Sequence, residues 1–264
     1  MTKVYEYPKD KSASWLKHCD LQPMFQAEGY IVDPETYNVR PMVRQISWDT
    51  QWDYVNADPK RCCNYLQMLA KHKKFVPSFC ENCWKVVVKP RTLRELYQLR
   101  NLQREMVARD KNCWCKCGIE ERFWVPGLYG GYFYTDSFEQ GAERYAQVRT
   151  NVDRVISPDV PVILKRYCTE FEIELGDSAA YKRPEFADKV EEVFYSMIGN
   201  PPKNRRQPMR YKQHVYFKWQ CFGWKWGTPE DRREIEQDWN NGDSYYPIPR
   251  TYHHNIKIEH KKEG

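Results

Sequence analysis

The sequence of 264 residues contains no apolar run near the roughly 20 residues that a membrane-spanning helix needs. Its first stretch, MTKVYEYPKDKSASW, lacks the apolar core of a secretion signal. The glycine-rich stretch GLYGG (127–131) lacks the Lys-Ser/Thr of a phosphate-binding P-loop, and no G-x-S-x-G serine elbow occurs. These absences argue against a membrane protein, a P-loop enzyme and an α/β-hydrolase, and we expect a cytoplasmic protein.

Cysteine, in contrast, is plentiful, and five of the ten cysteines lie between Phe79 and Gly118. In a reducing compartment, grouped thiols are more often metal ligands than disulfides. One C-x-x-C pair and one C-x-C-x-C group could offer the four sulfur ligands of a structural zinc ion. The expected ligands are Cys80, Cys83, Cys115 and Cys117, with Cys113 as the alternative in the second group.

The segment between the two cysteine groups predicts how they could meet. KVVVK (85–89) has the composition of a strand, which extends about 20 Å over six residues, and the leucine-rich segment that follows predicts a helix that returns about 27 Å. The arrangement resembles the zinc ribbons and knuckles of nucleic-acid-handling proteins over about forty residues, which implies a structural metal site. An iron–sulfur cluster is the alternative to zinc, and Cys62, Cys63 and His72 are possible further ligands.

Positive charge is concentrated in two segments. Residues 60–117 carry 14 Lys/Arg against 4 Asp/Glu, and residues 201–228 carry 7 against none. The second segment includes KNRRQPMRYKQHVYFKWQCFGWKW (203–226), in which cations alternate with rings; cations follow phosphates, and rings stack on unpaired bases. The alternation predicts a strand whose rings face the core, with the cations of the opposite face as candidate phosphate contacts. The simpler interpretation is the same core strand with a charged face that contacts only solvent.

We expect nucleic acid, or a protein complex bound to it, as the partner. The candidate phosphate contacts lie on the predicted basic helix and in the second basic segment: Arg91, Arg94, Arg100, Arg104, Lys203, Arg205, Arg206, Arg210, Lys212 and Lys218.

The pattern of predicted elements favours an α+β fold with a mixed or antiparallel sheet, several helices and the four-cysteine site. Thr92 with Glu95 and Ser137 with Gln140 have the spacing of helix N-terminal caps. We divide the chain into an N-terminal strand and loop region (1–59), a basic cysteine-rich unit (60–126), an α/β core segment (127–200) and a basic aromatic segment (201–264), together expected to form one globular unit.

Two other functions are compatible with the sequence. Glu170, Glu172 and Glu174 alternate with apolar residues as on one face of a strand and could bind Mg²⁺. The C-terminal HHNIKIEHK contains three histidines and an acid-x-Lys triplet, so a metal-dependent nuclease is one alternative. A structural or assembly protein, for example a viral one, is the other, because the sequence is rich in aromatic residues.

Overall fold

A computed structural model describes residues 30–32, 39–41, 50–57, 70–71, 73–122, 124–198, 207 and 209–241. These residues form an α+β fold. The strands are β1 (Tyr30–Val32), β2 (Val39–Pro41), β3 (Trp52–Asn56), β4 (Trp84–Val88), β5 (Trp114–Ile119), β6 (Tyr129–Thr135) and β7 (Val162–Arg166). The helices are α1 (Ser78–Glu81), α2 (Leu93–Arg109), α3 (Phe138–Val155), α4 (Thr169–Leu175), α5 (Phe186–Ile198), α6 (Met209–Trp226) and α7 (Pro229–Asn241).

Five strands form one antiparallel sheet in the order β3-β5-β6-β4-β7, while β1 and β2 pair separately. From β4 to β7 the chain follows the succession β-α-β-β-α-β, with β6 and β4 at the centre of the four strands, which is the ferredoxin-like topology. Strand β3 adds a fifth strand beside β5. The sheet therefore combines strands from three of the four segments into which we divided the sequence.

Helices α2 and α3 begin where the sequence predicts. The Thr92 hydroxyl accepts a hydrogen bond from the backbone N–H of Glu95, and the Ser137 hydroxyl accepts one from that of Gln140. These bonds satisfy N–H groups that have no partner inside the helix. Gly131 of β6 permits α2 to pack closely, because a Cβ atom there would lie 2.3 Å from Leu99 Cδ2.

One face of the sheet, the helix face, carries the main core. Val86 and Val88 of β4 and Phe133 of β6 are each 0% exposed. They pack in one cluster with leucines of α2, valines of α3 and side chains of α6 and α7. The opposite face, the tyrosine face, is defined by Tyr132 and Tyr134, which alternate with Phe133 along β6.

A buried carboxylate joins β3 to two helices. Asp53 accepts hydrogen bonds from Arg100 Nε of α2 at 2.9 Å and from the Tyr216 hydroxyl of α6 at 2.5 Å, and Lys212 Nζ lies 2.8 Å from its other oxygen. Burial by itself raises the pKa of Asp53, but Lys212, Tyr216 and Arg100 together hold it below its ordinary value. Gln207 also binds the backbone of β3, at Trp52 and Tyr54.

Two segments differ in structure from the expectation. The aromatic segment predicted as a strand forms helix α6, whose buried residues Val215, Tyr216 and Trp219 follow helical spacing. The glutamate segment predicted as a strand forms helix α4, in which Phe171 is buried and Ile173 is 59% exposed. Of the described helices, none has both the length and the apolar character needed to cross a membrane.

Candidate nucleic-acid interface

The tyrosine face divides into an aromatic half and a cationic half. Register places Tyr134 between Trp114 of β5 and Lys85 of β4, and Lys85 lies opposite Lys165 of β7. In the next row, Tyr132 lies between Lys116 and Val87. Rings therefore gather towards β3, β5 and β6, around Lys116 of β5, while Lys85 and Lys165 lie on β4 and β7.

The aromatic half surrounds one ammonium group. Lys116 Nζ lies 4.3 Å from the ring centroid of Trp52, 5.5 Å from that of Tyr54 and 5.6 Å from that of Tyr132. The rings of Trp52 and Tyr132 meet edge to face, and those of Tyr132 and Tyr134 are stacked with centroids 6.4 Å apart. Trp52 and Tyr132 are largely buried, whereas Tyr54, Tyr134 and Trp114 are half-buried. The half-buried rings present the accessible aromatic surface.

A network of charged groups borders these rings. Arg122 donates to Glu120 and to Glu170 of α4, and the Tyr132 hydroxyl donates to Glu120 Oε2 at 2.8 Å. Burial by itself raises the pKa of Glu120, yet hydrogen bonds from Arg122 and Tyr132 hold it below its ordinary value. Burial and the Glu120 carboxylate both raise the pKa of Tyr132, which keeps its hydroxyl protonated. The network fixes the orientation of the Tyr132 ring.

The cationic half contains a buried lysine next to sulfur atoms. Lys85 is 6% exposed, and its Nζ donates to Cys168 Sγ at 3.0 Å. Burial lowers the pKa of Lys85, but the sulfur groups of Cys168, Cys83 and Cys80 raise it above its ordinary value. Cys80 and Cys83 therefore lie near the tyrosine face, at the beginning of β4.

The four-cysteine site expected from the sequence is not formed. Strand β6 lies between β4 and β5, so the two cysteine groups are separated by two strand spacings, about 9.5 Å. They also lie towards opposite faces, because Cys115 and Cys117 pack into the core of the helix face. Within the described part of the chain, no group of three or more His, Cys, Asp or Glu side chains is placed to hold a metal ion.

The expectation that the helix returns the chain to the same end of the sheet was correct, but the expectation that the two cysteine groups lie side by side was wrong. Strands β4 and β5 are both antiparallel to β6 and therefore run in the same direction. Cys83 and Cys113, which precede these strands, thus lie at the same end of the sheet. Burial raises the pKa of Cys115 and Cys117 well above the ordinary thiol value. Both residues thus act as small, protonated core side chains. Cys62, Cys63 and His72 lie outside the described residues.

The predicted phosphate contacts are distributed over several environments. Arg91 pairs with Glu95, and Arg94 with Glu234, at the surface of α2. Arg100 and Lys212 belong to the buried Asp53 cluster, where they serve the fold.

The other predicted contacts fall into three groups. Arg104 is exposed and Lys218 is half-buried. Lys203, Arg205 and Arg206 lie outside the described residues, and so does the side chain of Arg210. The described members of the predicted set therefore do not form one continuous basic surface.

A polar cleft of about 760 Å³ opens at the end of the sheet where α2 ends and α3 begins. Trp114 and Tyr134 line it and thereby connect it to the tyrosine face. Arg109 and Arg144 also line it, and Arg144 pairs with Asp110 at 2.7 Å. The cleft extends the aromatic half of the face around the edge of the sheet.

The residues of the tyrosine face were absent from the predicted set. The available signal was the alternation of Tyr132, Phe133 and Tyr134 after two glycines, which indicates a strand with rings on both faces. Which face the helices cover depends on the strand order, which this alternation does not reveal. The histidines and the acid-x-Lys triplet of the C-terminal segment lie outside the described residues.

Comparison of the chain with protein-family models, with curated proteins and with solved structures finds no match. The candidate interface is therefore argued from this chain's own residues.

Proposed function

We propose that the protein binds single-stranded nucleic acid across the tyrosine face. The observation that carries the proposal is the cluster of Trp52, Tyr54, Tyr132 and Tyr134, on the side of the sheet away from the core helices. The first three of these rings surround Lys116. Rings on such a surface are suited to stack on unpaired bases, and each stack contributes about 1–3 kcal/mol. Arg122 donates to the Tyr132 hydroxyl, and Lys165 lies beyond Lys85, the neighbour of Tyr134; the phosphates of the bound nucleic acid would run along this side of the rings.

The topology supports this proposal by analogy. RNA-recognition motifs have a four-stranded sheet whose aromatic side chains stack on two or three bases. Here the rings occupy the corresponding side of a sheet with β-α-β-β-α-β order, opposite the core helices. A fold alone does not determine a function, so the proposed nucleic-acid binding rests on the rings and the neighbouring cations.

The test is fluorescence anisotropy with short labelled single strands of RNA and DNA at several salt concentrations. We expect the affinity to fall steeply with added salt, because binding releases counterions from phosphates. Tyr134→Ala should weaken binding roughly tenfold, in line with the loss of one stacked base.

The matched control is Trp226→Ala, which removes a ring that is 60% exposed on α6. Its affinity should equal that of the natural protein. Equal binding by Tyr134→Ala and the natural protein, or binding that salt does not weaken, would contradict the proposal. Docking on a protein complex remains the other prediction, and a pull-down without nucleic-acid affinity would favour it.

A further inference from the structure

Helix α4 places its acidic side chains against the cations beside the tyrosine face. Glu170 pairs with Arg122, which follows β5, and Glu172 pairs with Lys165 of β7. Glu174 pairs with Lys74, which precedes α1. Three cations from distant parts of the chain thus surround one short helix, and we call Lys74, Arg122 and Lys165 the cationic cradle.

One cation of the cradle faces a further cation of the sheet. Lys165 lies directly opposite Lys85 in the antiparallel pair of β4 and β7. Like charges placed opposite one another destabilise a sheet, and burial together with Lys85 lowers the pKa of Lys165. The Glu172 carboxylate compensates this repulsion, and a phosphate group could compensate it equally well.

The helix that supplies these carboxylates is weakly anchored. It has seven residues, of which Phe171 is the buried one. Backbone angles in the left-handed region occur near both ends, at Tyr167 with φ of 60° and at Gly176 with φ of 84°. The ion pairs are partly exposed, with side-chain exposures between 24% and 59%. Salt and competing anions can therefore reach them.

We propose that the cationic cradle is the phosphate-binding surface of the protein, and that the glutamates of α4 occupy it until the phosphodiester backbone of a bound strand replaces them. The inference rests on the proposed function and adds to it the residues that contact phosphate. It also gives α4 a regulatory role, because a competing internal anion reduces the apparent affinity. The bases of the strand then lie towards β5 and β6, and its phosphates towards β7.

The test compares two charge changes that should move affinity in opposite directions. The double variant Glu172→Gln/Glu174→Gln removes two internal competitors and should bind single-stranded RNA or DNA roughly tenfold more tightly. Lys165→Gln removes a phosphate contact, so it should bind more weakly. The slope of log affinity against log salt concentration should fall by about one in this variant.

The matched control is Glu230→Gln/Glu236→Gln on α7, which changes the net charge by the same amount at exposed positions on the helix side of the sheet. A gain in affinity confined to the α4 variant supports the competition. An α4 variant that behaves like the control, or a Lys165→Gln variant that binds like the natural protein, overturns it.

The two proposals fail separately. If Tyr134→Ala weakens binding but the α4 variant matches its control, the phosphates bind elsewhere and the stacking surface remains. If neither the natural protein nor the α4 variant binds nucleic acid, both proposals fall.

Discussion

The two faces of the central sheet differ in what their side chains contact. On the helix face, apolar side chains such as Val86 and Phe133 are completely buried against α2 and α3. On the tyrosine face, rings contact ammonium groups, and carboxylates contact arginine and lysine. Adjacent residues of one strand therefore belong to different kinds of environment. The helix face is a packed apolar core, and the tyrosine face is a layer of rings and charged groups.

This difference follows from the charge and shape of the side chains. Apolar burial contributes about 25 cal/mol per Å² removed from water, so the helix face stabilises the fold through area. A ring with an ammonium group above it contributes less to stability and keeps its polar surface available. Substitutions on the two faces should consequently be separable by measurement.

The largest expected effect is on the helix face. Phe133→Ala should lower the free energy of unfolding by about 4 kcal/mol, because it creates a cavity in a fully buried position. Chemical denaturation measures this change. The neighbouring Tyr134→Ala serves as the comparison and should cost less than half as much, since Tyr134 is half-buried. Equal losses would show that the two faces are equally packed.

A somewhat smaller effect is expected where β3 joins α2 and α6. Asp53→Asn leaves Arg100 and Lys212 without their carboxylate and should cost about 3 kcal/mol. Because the folded pKa of Asp53 lies below its unfolded value, its contribution is present above about pH 4 and is lost as the pH falls through the folded pKa.

Denaturation curves at several pH values check this sign. The difference in stability between the natural protein and Asp53→Asn should be constant near neutral pH and should shrink below about pH 4. A difference that grows on acidification would mean that the carboxylate is not held in its charged form.

The smallest effect concerns the cysteines. Cys80 and Cys83 lie near the tyrosine face, whereas Cys115 and Cys117 lie on the helix face. Since β6 separates Cys80 and Cys83 from Cys115 and Cys117, the variant Cys80→Ser/Cys83→Ser should contain as much metal as the natural protein and respond equally to a strong chelator. Differential scanning fluorimetry with metal analysis of the same sample provides the measurement. Zinc that the natural protein binds in a one-to-one ratio and that this variant loses would contradict this separation.

Local signals in the sequence were sufficient for α2, α3 and β4. The caps at Thr92 and Ser137 predicted where α2 and α3 begin. The valine run predicted β4. These elements depend on neighbouring residues, whose pattern the sequence displays directly.

Elements that depend on tertiary contacts were not predictable in the same way. In 211–226, rings and cations alternate over a few residues, but burial of Val215 and Trp219 against the α2 side of the sheet selects a helix. The placement of β6 between β4 and β5 could not be read from either cysteine group. That single insertion separates the expected metal ligands and also creates the tyrosine face.

The Asp53 cluster has a consequence for synthesis of the chain. A ribosome completes Asp53 and Arg100 long before it reaches Lys212 and Tyr216, which are needed to hold the carboxylate. We therefore expect β3 to join the nascent sheet late, after the four other strands have emerged. Until then, the edge of β5 that later pairs with β3 is open to pairing with other chains. Synthesis of many chains close together would therefore make aggregation more frequent.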